Sequence, residues 1–304
     1  MKSTRPYLLH LMGGLLAAAL LGTPVAASDQ PQPNLPREVR VNGVEFVLVP
    51  EGWFFKTGGV RTAERDGGGN AKVWLDAYYI AKYEARARDL VPYLNTLQKP
   101  VKEYGGDDTS CSVRLAKDGH YALVSPGEDL PATHLSWQLS DAWAKSMGFR
   151  LPSEAEWEKA ARGTDQRIYP WGNQAPDETY ANFDVTSECL VWPVNRYNKG
   201  QSPYGAYNMA GNVREYVADW NNPEADASWR DGLRNPPVAD KPASNPKKML
   251  KGGRWASKPQ QMHIDARVLE YAEKPFQCNG TRFAIDVAVV KTQLLAGTAQ
   301  IMKP

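Results

Sequence analysis

Apolar and polar residues alternate near the start of the folded part of the chain. Residues 41–58, VNGVEFVLVPEGWFFKTG, alternate around Pro50 and Gly52, and a two-residue period predicts two strands with a turn between them. VWLDAYYIAKYEA, residues 73–85, predicts a second strand pair, and RFAIDVAVV, residues 282–290, predicts a final strand.

Three helices are predicted in the middle of the chain. A short helix covers about residues 87–97. Ser136 can cap a second helix that extends to Met147, and Ser153 with Glu156 forms the S-x-x-E capping box of a third. Few regular elements among many loops favour a mixed α+β domain over a doubly wound sheet.

The composition supports a loop-rich globular domain. Apolar residues make up 42% of the chain, which contains 10 Trp and 14 Tyr, and 25 Gly with 23 Pro indicate many turns. Lys and Arg total 36 against 34 Asp and Glu. This balance argues against a nucleic-acid partner or a membrane-surface binder.

The first 27 residues have the features of a secretory signal peptide. Lys2 and Arg5 precede an apolar run, residues 8–21, and small residues lie before Ser28. The run is too short to span a bilayer stably, which disfavours the alternative of an uncleaved anchor. The sequence therefore predicts a periplasmic protein with no membrane span after cleavage.

The cysteine and histidine content limits the metal chemistry. The three cysteines are Cys111, Cys189 and Cys278. An oxidising compartment favours one disulfide and leaves one thiol, but spacing does not determine the pairing. The mature chain has three histidines, far apart in sequence, which gives little support to a histidine-rich iron site.

Eight motifs resemble, in order, those of the formylglycine-generating-enzyme-like, or sulfatase-modifying factor, family. They are PATHLSW (131–137), LPSEAEWEKAARG (151–163), YPWGN (169–173), YANF (180–183), YGAYNMAGNVREYVADW (204–220), LKGGRW (250–255), DAR (265–267) and NGTRFAI (279–285). The resemblance implies a single loop-rich α+β domain with a C-type-lectin-like core and little regular secondary structure.

The N-terminal residues and the resemblance together predict the domain boundaries. Residues 1–27 are the signal peptide, and residues 28–40, rich in Pro, form a flexible lead-in. The family domain covers residues 41–290, and residues 291–304 form a C-terminal tail.

Family members bind structural calcium through mixed oxygen ligands. The matching residues here are Asn208, Gly211, Val213 and Glu215. The alternative is a glycine-containing turn held by ordinary hydrogen bonds. A second family site would begin at Asn182 and Phe183, but the following loop is shorter and lacks the family's acidic ending.

The cysteine pair of the family's namesake is absent. Gly252 and Gly253 lead to Ser257 at the place of the first cysteine, and no cysteine occurs before Asp265. A serine hydroxyl cannot replace a soft thiolate as a ligand of Cu(I). Copper is therefore not expected, and neither is formylglycine generation by the family's mechanism.

The resemblance places six candidate substrate-binding residues near the family's cleft: Arg214, Arg254, Trp255, Ser257, Arg267 and Cys278. Three of them have structural alternatives. Arg267 can be a buried arginine that ties loops together, and Trp255 can belong to the core. Cys278 can be half of a disulfide, which the oxidising compartment favours.

Glu270 is the candidate catalytic residue. It lies beside Tyr271 in a predicted loop, where a carboxylate can accept a proton from a substrate. The alternative is a solvated loop charge. His263 is the nearest other candidate for a base.

Exported members of the family without the cysteine pair imply a function in siderophore maturation. The implied activity is a periplasmic oxidase that converts dihydropyoverdine to the pyoverdine chromophore, with no organic cofactor and with dioxygen or a quinone as acceptor. The implied partners are a siderophore peptide precursor and other periplasmic maturation enzymes. A non-catalytic binding or assembly module is the alternative, and a formylglycine-generating enzyme is the weakest one.

Overall fold

The computed structural model describes residues 35–57, 70–97, 110–186 and 189–302. All of them belong to one compact unit, Pro31–Pro304. The predicted signal peptide lies outside the described residues. Within the described ranges, no helix has the length and apolar character needed to cross a membrane.

The described residues form thirteen short strands and five α-helices, joined by long loops. The strands are β1 Glu38–Val41, β2 Val44–Val49, β3 Gly52–Thr57, β4 Asn70–Leu75, β5 Tyr78–Ala81, β6 Val113–Leu115, β7 Tyr121–Leu123, β8 Arg214–Trp220, β9 Lys248–Lys251, β10 Val268–Glu270, β11 Asn279–Thr281, β12 Ala284–Asp286 and β13 Ala299–Ile301. The helices are α1 Ala87–Thr96, α2 Trp137–Ser146, α3 Glu154–Arg162, α4 Pro223–Ala227 and α5 Val287–Leu295. The α+β, loop-rich prediction is confirmed.

A five-stranded antiparallel sheet forms the centre of the domain, in the order β12-β5-β2-β1-β13. Its two faces pack against different apolar clusters. Phe46 and Tyr79 belong to the cluster that includes residues of α2, whereas Val47 and Ile80 belong to the cluster that includes residues of α3. Burial on both faces explains why β2 and β5 are almost wholly apolar.

The two helices with clear caps form where the sequence predicts them. The Ser136 hydroxyl accepts a hydrogen bond from the amide of Leu139, which begins α2. Ser153 and Glu156 form the reciprocal capping box of α3. These contacts are local, so they depend little on the rest of the fold.

The C-terminal prediction is wrong in two respects. Residues 282–290 contain only the three-residue strand β12, after which α5 begins. Residues 291–304, predicted as a tail, contribute the end of α5 and the strand β13, in which Ile301 pairs with Val39 of β1. The same pairing shows that β1 begins at Glu38, inside the predicted flexible lead-in. The terminal segment covers an edge of the central sheet.

A second, four-stranded sheet carries the candidate site, in the order β10-β9-β8-β11. The sequence pattern predicts no strand in the segments that form β8, β9, β10 and β11. In β8, Tyr216 faces the cluster shared with α2, and Val217 faces the cluster shared with α3. Glu270 of β10 lies opposite Lys248 of β9.

Candidate functional site

The Gly-Gly motif makes a tight turn that directs Arg254. Gly253 has a φ of +74°, and a Cβ there would lie 2.9 Å from Cγ of Met262, so glycine is required. The Arg254 amide donates to the Ser257 hydroxyl at 3.0 Å, and the Ser257 amide donates to the Arg254 carbonyl at 2.9 Å. This turn fixes where the Arg254 side chain leaves the backbone.

Arg254, Arg214, Cys278 and Phe276 come together, and we call them the arginine cluster. Arg254 Nη1 lies 2.8 Å from the Sγ of Cys278. The guanidinium carbons of Arg254 and Arg214 lie 5.6 and 5.9 Å from the centre of the Phe276 ring. Cys278 is fully buried, whereas Phe276 is 40% exposed. The cluster therefore has a buried thiol at its base and an aromatic ring at its solvent side.

The cluster keeps an excess of positive charge. Burial lowers the pKa of Arg214, and the charge of Arg254 lowers it further. Cys278, and then Glu270, oppose both effects. Burial raises the pKa of the Cys278 thiol, although Arg254 and Arg214 favour the thiolate. A neutral thiol cannot balance two guanidinium groups, so Glu270 is the carboxylate that acts on this charge.

Glu270 lies at the end of β10 and is half-buried. One of its carboxylate oxygens, Oε1, accepts a hydrogen bond from the Tyr271 amide at 3.1 Å. Its cross-strand neighbour Lys248 points elsewhere, with Nζ 3.6 and 4.1 Å from the ring centres of Trp137 and Trp220. Glu270 thus lies near the arginine cluster without a lysine partner, and its role as a base stays a prediction.

Trp255 and Ser257 are enclosed by the protein. Each is 1% exposed. The Trp255 ring packs in a small apolar cluster with Cys278, and Ser257 closes the turn described above. Their side chains hold the backbone and base of the arginine cluster, and direct contact with substrate stays a prediction.

Arg267 also has a structural role, as its alternative interpretation proposed. It donates to both carboxylate oxygens of Glu154, at 2.5 and 2.7 Å, and to both of Asp226, at 2.6 and 2.8 Å. Four charged hydrogen bonds leave this guanidinium little capacity for a substrate. These contacts favour the structural interpretation of Arg267, and substrate binding by this residue stays a prediction. His263 packs edge-on against Tyr169, with ring centres 5.2 Å apart.

The disulfide joins Cys111 to Cys189, with Cα atoms 5.3 Å apart. Cys278 is the free cysteine of the described residues. The preference for Cys278 as half of a disulfide is therefore wrong, whereas the expectation of one disulfide and one remaining thiol is confirmed. The bond lies beside the arginine cluster, because Gln277 Nε2 lies 3.2 Å from the Sγ of Cys189.

We expect the Cys111→Ser/Cys189→Ser double variant to lose about 2–5 kcal/mol of unfolding free energy, because the bond closes a long loop in the unfolded chain. Denaturant unfolding with and without reductant measures the loss. Reductant should destabilise the wild type and Cys278→Ala equally and leave the double variant unchanged. An equal effect of reductant on the double variant would contradict this assignment.

The predicted calcium motif is organised around another carboxylate. Asn208 and Asn212 donate their side-chain amides to Oε2 of the buried Glu84, at 2.8 and 2.9 Å. The Val213 amide donates to Oε1 at 3.3 Å. Burial, and then the charge of Glu215, raise the pKa of Glu84 to about 8. Gly211 has a φ of +82° and fits closely, because a Cβ would lie 2.4 Å from the Asn182 carbonyl oxygen.

Glu215 is paired with an arginine. Arg282 donates to both of its carboxylate oxygens, at 2.8 and 2.6 Å, and Trp157 Nε1 donates at 2.6 Å. Both charged side chains are fully buried. Arg282 balances the negative charge of Glu215, which calcium would need. The oxygens of Glu84 already accept hydrogen bonds from N–H groups. These residues do not fit calcium at the predicted set, and its presence stays an untested prediction.

The residues of the second predicted calcium site also make hydrogen bonds and apolar contacts within the protein. Asn182 donates its amide to the Leu190 carbonyl at 2.7 Å and to Asn212 Oδ1 at 3.1 Å. Phe183 packs against an apolar cluster that includes Tyr169. These contacts hold loops together, and calcium at this position also stays a prediction.

Three residues at the site were not singled out from the sequence. The Phe276 ring lies beside the guanidinium groups of both arginines. The hydroxyl of the buried Tyr216 accepts a hydrogen bond from Asn279 Nδ2 at 2.9 Å. Tyr216 and Asn279 lie within quoted family motifs, which is the signal that could have found them. Phe276 lies between motifs and has no such signal.

Comparisons with known proteins agree with this fold. The family model of the sulfatase-modifying factor enzyme 1-like domain matches residues 31–287. PvdO from Pseudomonas aeruginosa has a similar fold, with a TM-score of 0.62 and 21% identity over 83% of this chain and 99% of that one.

Two curated relatives are similar over part of their length. The formylglycine-generating enzyme of Thermomonospora curvata is 34% identical over 151 residues, which cover 45% of this chain and 48% of that enzyme. The hercynine oxygenase of Mycobacterium tuberculosis is 32% identical over 169 residues, 52% of this chain and 37% of that one. The chain thus spans about half or less of these relatives. It belongs to the sulfatase-modifying factor enzyme 1-like, or formylglycine-generating-enzyme-like, family.

Proposed function

We propose that the protein is a periplasmic oxidase of siderophore maturation that converts dihydropyoverdine to the pyoverdine chromophore. The arginine cluster is the observation that carries the proposal. It brings together two guanidinium groups and a partly exposed aromatic ring, and the charge of Glu270 acts on Arg214. Such a set can hold a flat, acidic ring system beside a base.

The chemistry requires few protein groups. Oxidation removes two electrons and two protons from an electron-rich ring system. The acceptor is dioxygen, which becomes hydrogen peroxide, or a quinone, which becomes the hydroquinone. The protein binds and orients the ring, and Glu270 accepts a proton as electrons leave.

The cellular setting belongs to the same proposal. The signal-like residues 1–27 direct the chain to the periplasm, where the Cys111–Cys189 bond is stable. The siderophore peptide precursor is the proposed substrate, and other periplasmic maturation enzymes are the proposed partners.

Incubation of the purified protein with dihydropyoverdine tests the function. We expect the chromophore absorption to appear in air, with hydrogen peroxide as co-product, or without air when a quinone is added. Heat-denatured protein and protein-free buffer are the controls, because they report any oxidation that does not need the folded protein.

The same experiment separates the alternatives. Binding of dihydropyoverdine without chromophore formation under either condition would contradict the oxidase and support a non-catalytic binding module. Conversion of a cysteine-containing sulfatase peptide to formylglycine would instead support the weakest alternative.

A further inference from the structure

We propose that the arginine cluster binds the catechol monoanion of an aromatic ring, with the ionised oxygen at Arg214 and the neighbouring hydroxyl at Asn279. The inference deepens the proposed function, on which it rests for the identity of the substrate. It specifies the chemical group that the site recognises and the residues that recognise it.

The two arginines lack a strong anionic partner. None of the ion pairs of the described residues includes Arg214 or Arg254. Among the described residues, the side-chain partner of the Arg254 guanidinium is the Cys278 sulfur, which is a weak acceptor. Two neighbouring cations in a half-buried position favour the binding of an anion between them.

Arg214 and Asn279 provide complementary hydrogen-bonding atoms. Nε of Arg214 and Oδ1 of Asn279 are both buried, and neither has a hydrogen-bond partner among the residues that the structure describes. The two residues are paired across the parallel strands β8 and β11, so their side chains leave the same face of the sheet. A buried donor and a buried acceptor are therefore left unpaired on adjacent strands.

A catechol monoanion matches this pair of atoms. Its ionised oxygen accepts from Arg214 Nε–H, and its vicinal hydroxyl donates to Asn279 Oδ1. A carboxylate could accept from Arg214 but has no hydrogen for Asn279, and a simple phenolate lacks the second oxygen. Pairing both buried atoms is the physical basis for discrimination between these ligands.

Phe276 provides the surface for the ring. It is 40% exposed, and both guanidinium groups lie within 6 Å of its centre. An aromatic ligand can stack on Phe276 while its oxygens reach inward to the arginines. The aromatic and ionic contacts then act on the same small ligand.

The probe that tests the proposal is 4-nitrocatechol, whose visible spectrum reports its ionisation. We expect the wild type to bind it with the spectrum of the monoanion at a pH where the free probe is largely protonated. The apparent pKa of the bound probe falls because two cations stabilise its anion. No spectral change on titration with wild-type protein would overturn the proposal.

Matched variants locate the binding site. Arg214→Gln and Arg254→Gln should each weaken binding by roughly tenfold to a hundredfold, the loss of one charged hydrogen bond. Arg254→Lys should retain part of the spectral shift because it keeps the charge. Arg234→Gln is the control, because that exposed arginine also stacks on an aromatic ring, Trp74 at 4.2 Å, outside the cluster. Equal weakening by all three glutamine variants would overturn the assignment.

The second oxygen is tested with 4-nitrophenol. We expect the wild type to prefer 4-nitrocatechol by roughly tenfold or more, and Asn279→Ala to reduce that preference while it retains the Arg214-dependent shift. Circular dichroism confirms that each variant is folded. Equal affinity of the wild type for both probes would overturn the role of Asn279.

Failure of this inference can be told from failure of the proposed function. If probe binding depends on Arg214 but dihydropyoverdine is not oxidised, the binding site is supported and the oxidase function is contradicted. Oxidation at full rate by Arg214→Gln and Arg254→Gln retains the oxidase and rejects the site.

Discussion

Replacement of Arg282 by methionine is expected to destabilise the fold by about 3–5 kcal/mol, because it leaves the Glu215 carboxylate buried without its cation. Arg282 also donates to the carbonyl oxygens of Ala81 and Tyr207 at 2.8 and 2.6 Å. It therefore joins β5, β8 and the loop before the predicted calcium motif. Denaturant unfolding of the folded variant measures the change.

The matched control is Arg40→Met. Arg40 also pairs with a glutamate, Glu45, at 2.7 Å, but its side chain is 41% exposed. Exposed pairs contribute at most about 1 kcal/mol. Similar losses in Arg282→Met and Arg40→Met would contradict a dominant role for the buried pair.

The same measurement tests calcium. If Arg282 balances Glu215, removal of divalent cations with a chelator should leave the wild-type unfolding free energy unchanged. A chelator-dependent loss in the wild type that Glu215→Gln abolishes would show that calcium binds at the predicted motif, and that Arg282 and the ion share one carboxylate.

Local signals explain which parts of the fold the sequence predicts. Helices α2 and α3 were identified because Ser136 and the Ser153–Glu156 box act within one turn of each helix. Helix α5 was mistaken for a strand because VAVVKTQLL begins with a β-branched apolar run, whose periodicity does not separate strand from helix. Helix α5 leads into β13, which pairs with β1 at the other end of the chain. A local sequence pattern does not reveal such a long-range contact.

The four-stranded sheet shows the limit of such signals. Strand β10 has three residues, and β9 has four. They pair across loops, and β11 joins β8 in parallel from more than sixty positions away in sequence. Strands this short carry almost no period-two pattern. The sheet that positions the site therefore could not be predicted from local sequence patterns.

For the site, the family resemblance identified Arg214 and Arg254, which the structure brings together. It did not separate them from Arg267, because all three are arginines in quoted motifs. What separates them is the partner: Arg267 lies between Glu154 and Asp226, whereas Arg214 and Arg254 lie beside a ring and a thiol. The cysteine pairing was likewise undetermined, since Cys111 and Cys189 are 78 positions apart.

Glu270→Gln is expected to turn over dihydropyoverdine at least about a hundredfold more slowly, because general-base catalysis typically contributes about 10²–10⁴-fold. Glutamine preserves the shape of the side chain and the carbonyl that can accept from the Tyr271 amide, but it cannot take the proton. Affinity should change little, since the proposed ring contacts are made by Arg214, Asn279 and Phe276. The loss should therefore appear in kcat rather than in KM.

Glu273→Gln is the control for this result, because Glu273 is an exposed carboxylate three residues further along the chain, in the turn after β10. It should keep near-normal turnover. If Glu270→Gln keeps full rate while His263→Ala loses it, the base is His263, although that ring packs against Tyr169. If both variants keep full rate, no protein base is needed, and the arginine cluster acts by binding the ring and stabilising its anion alone.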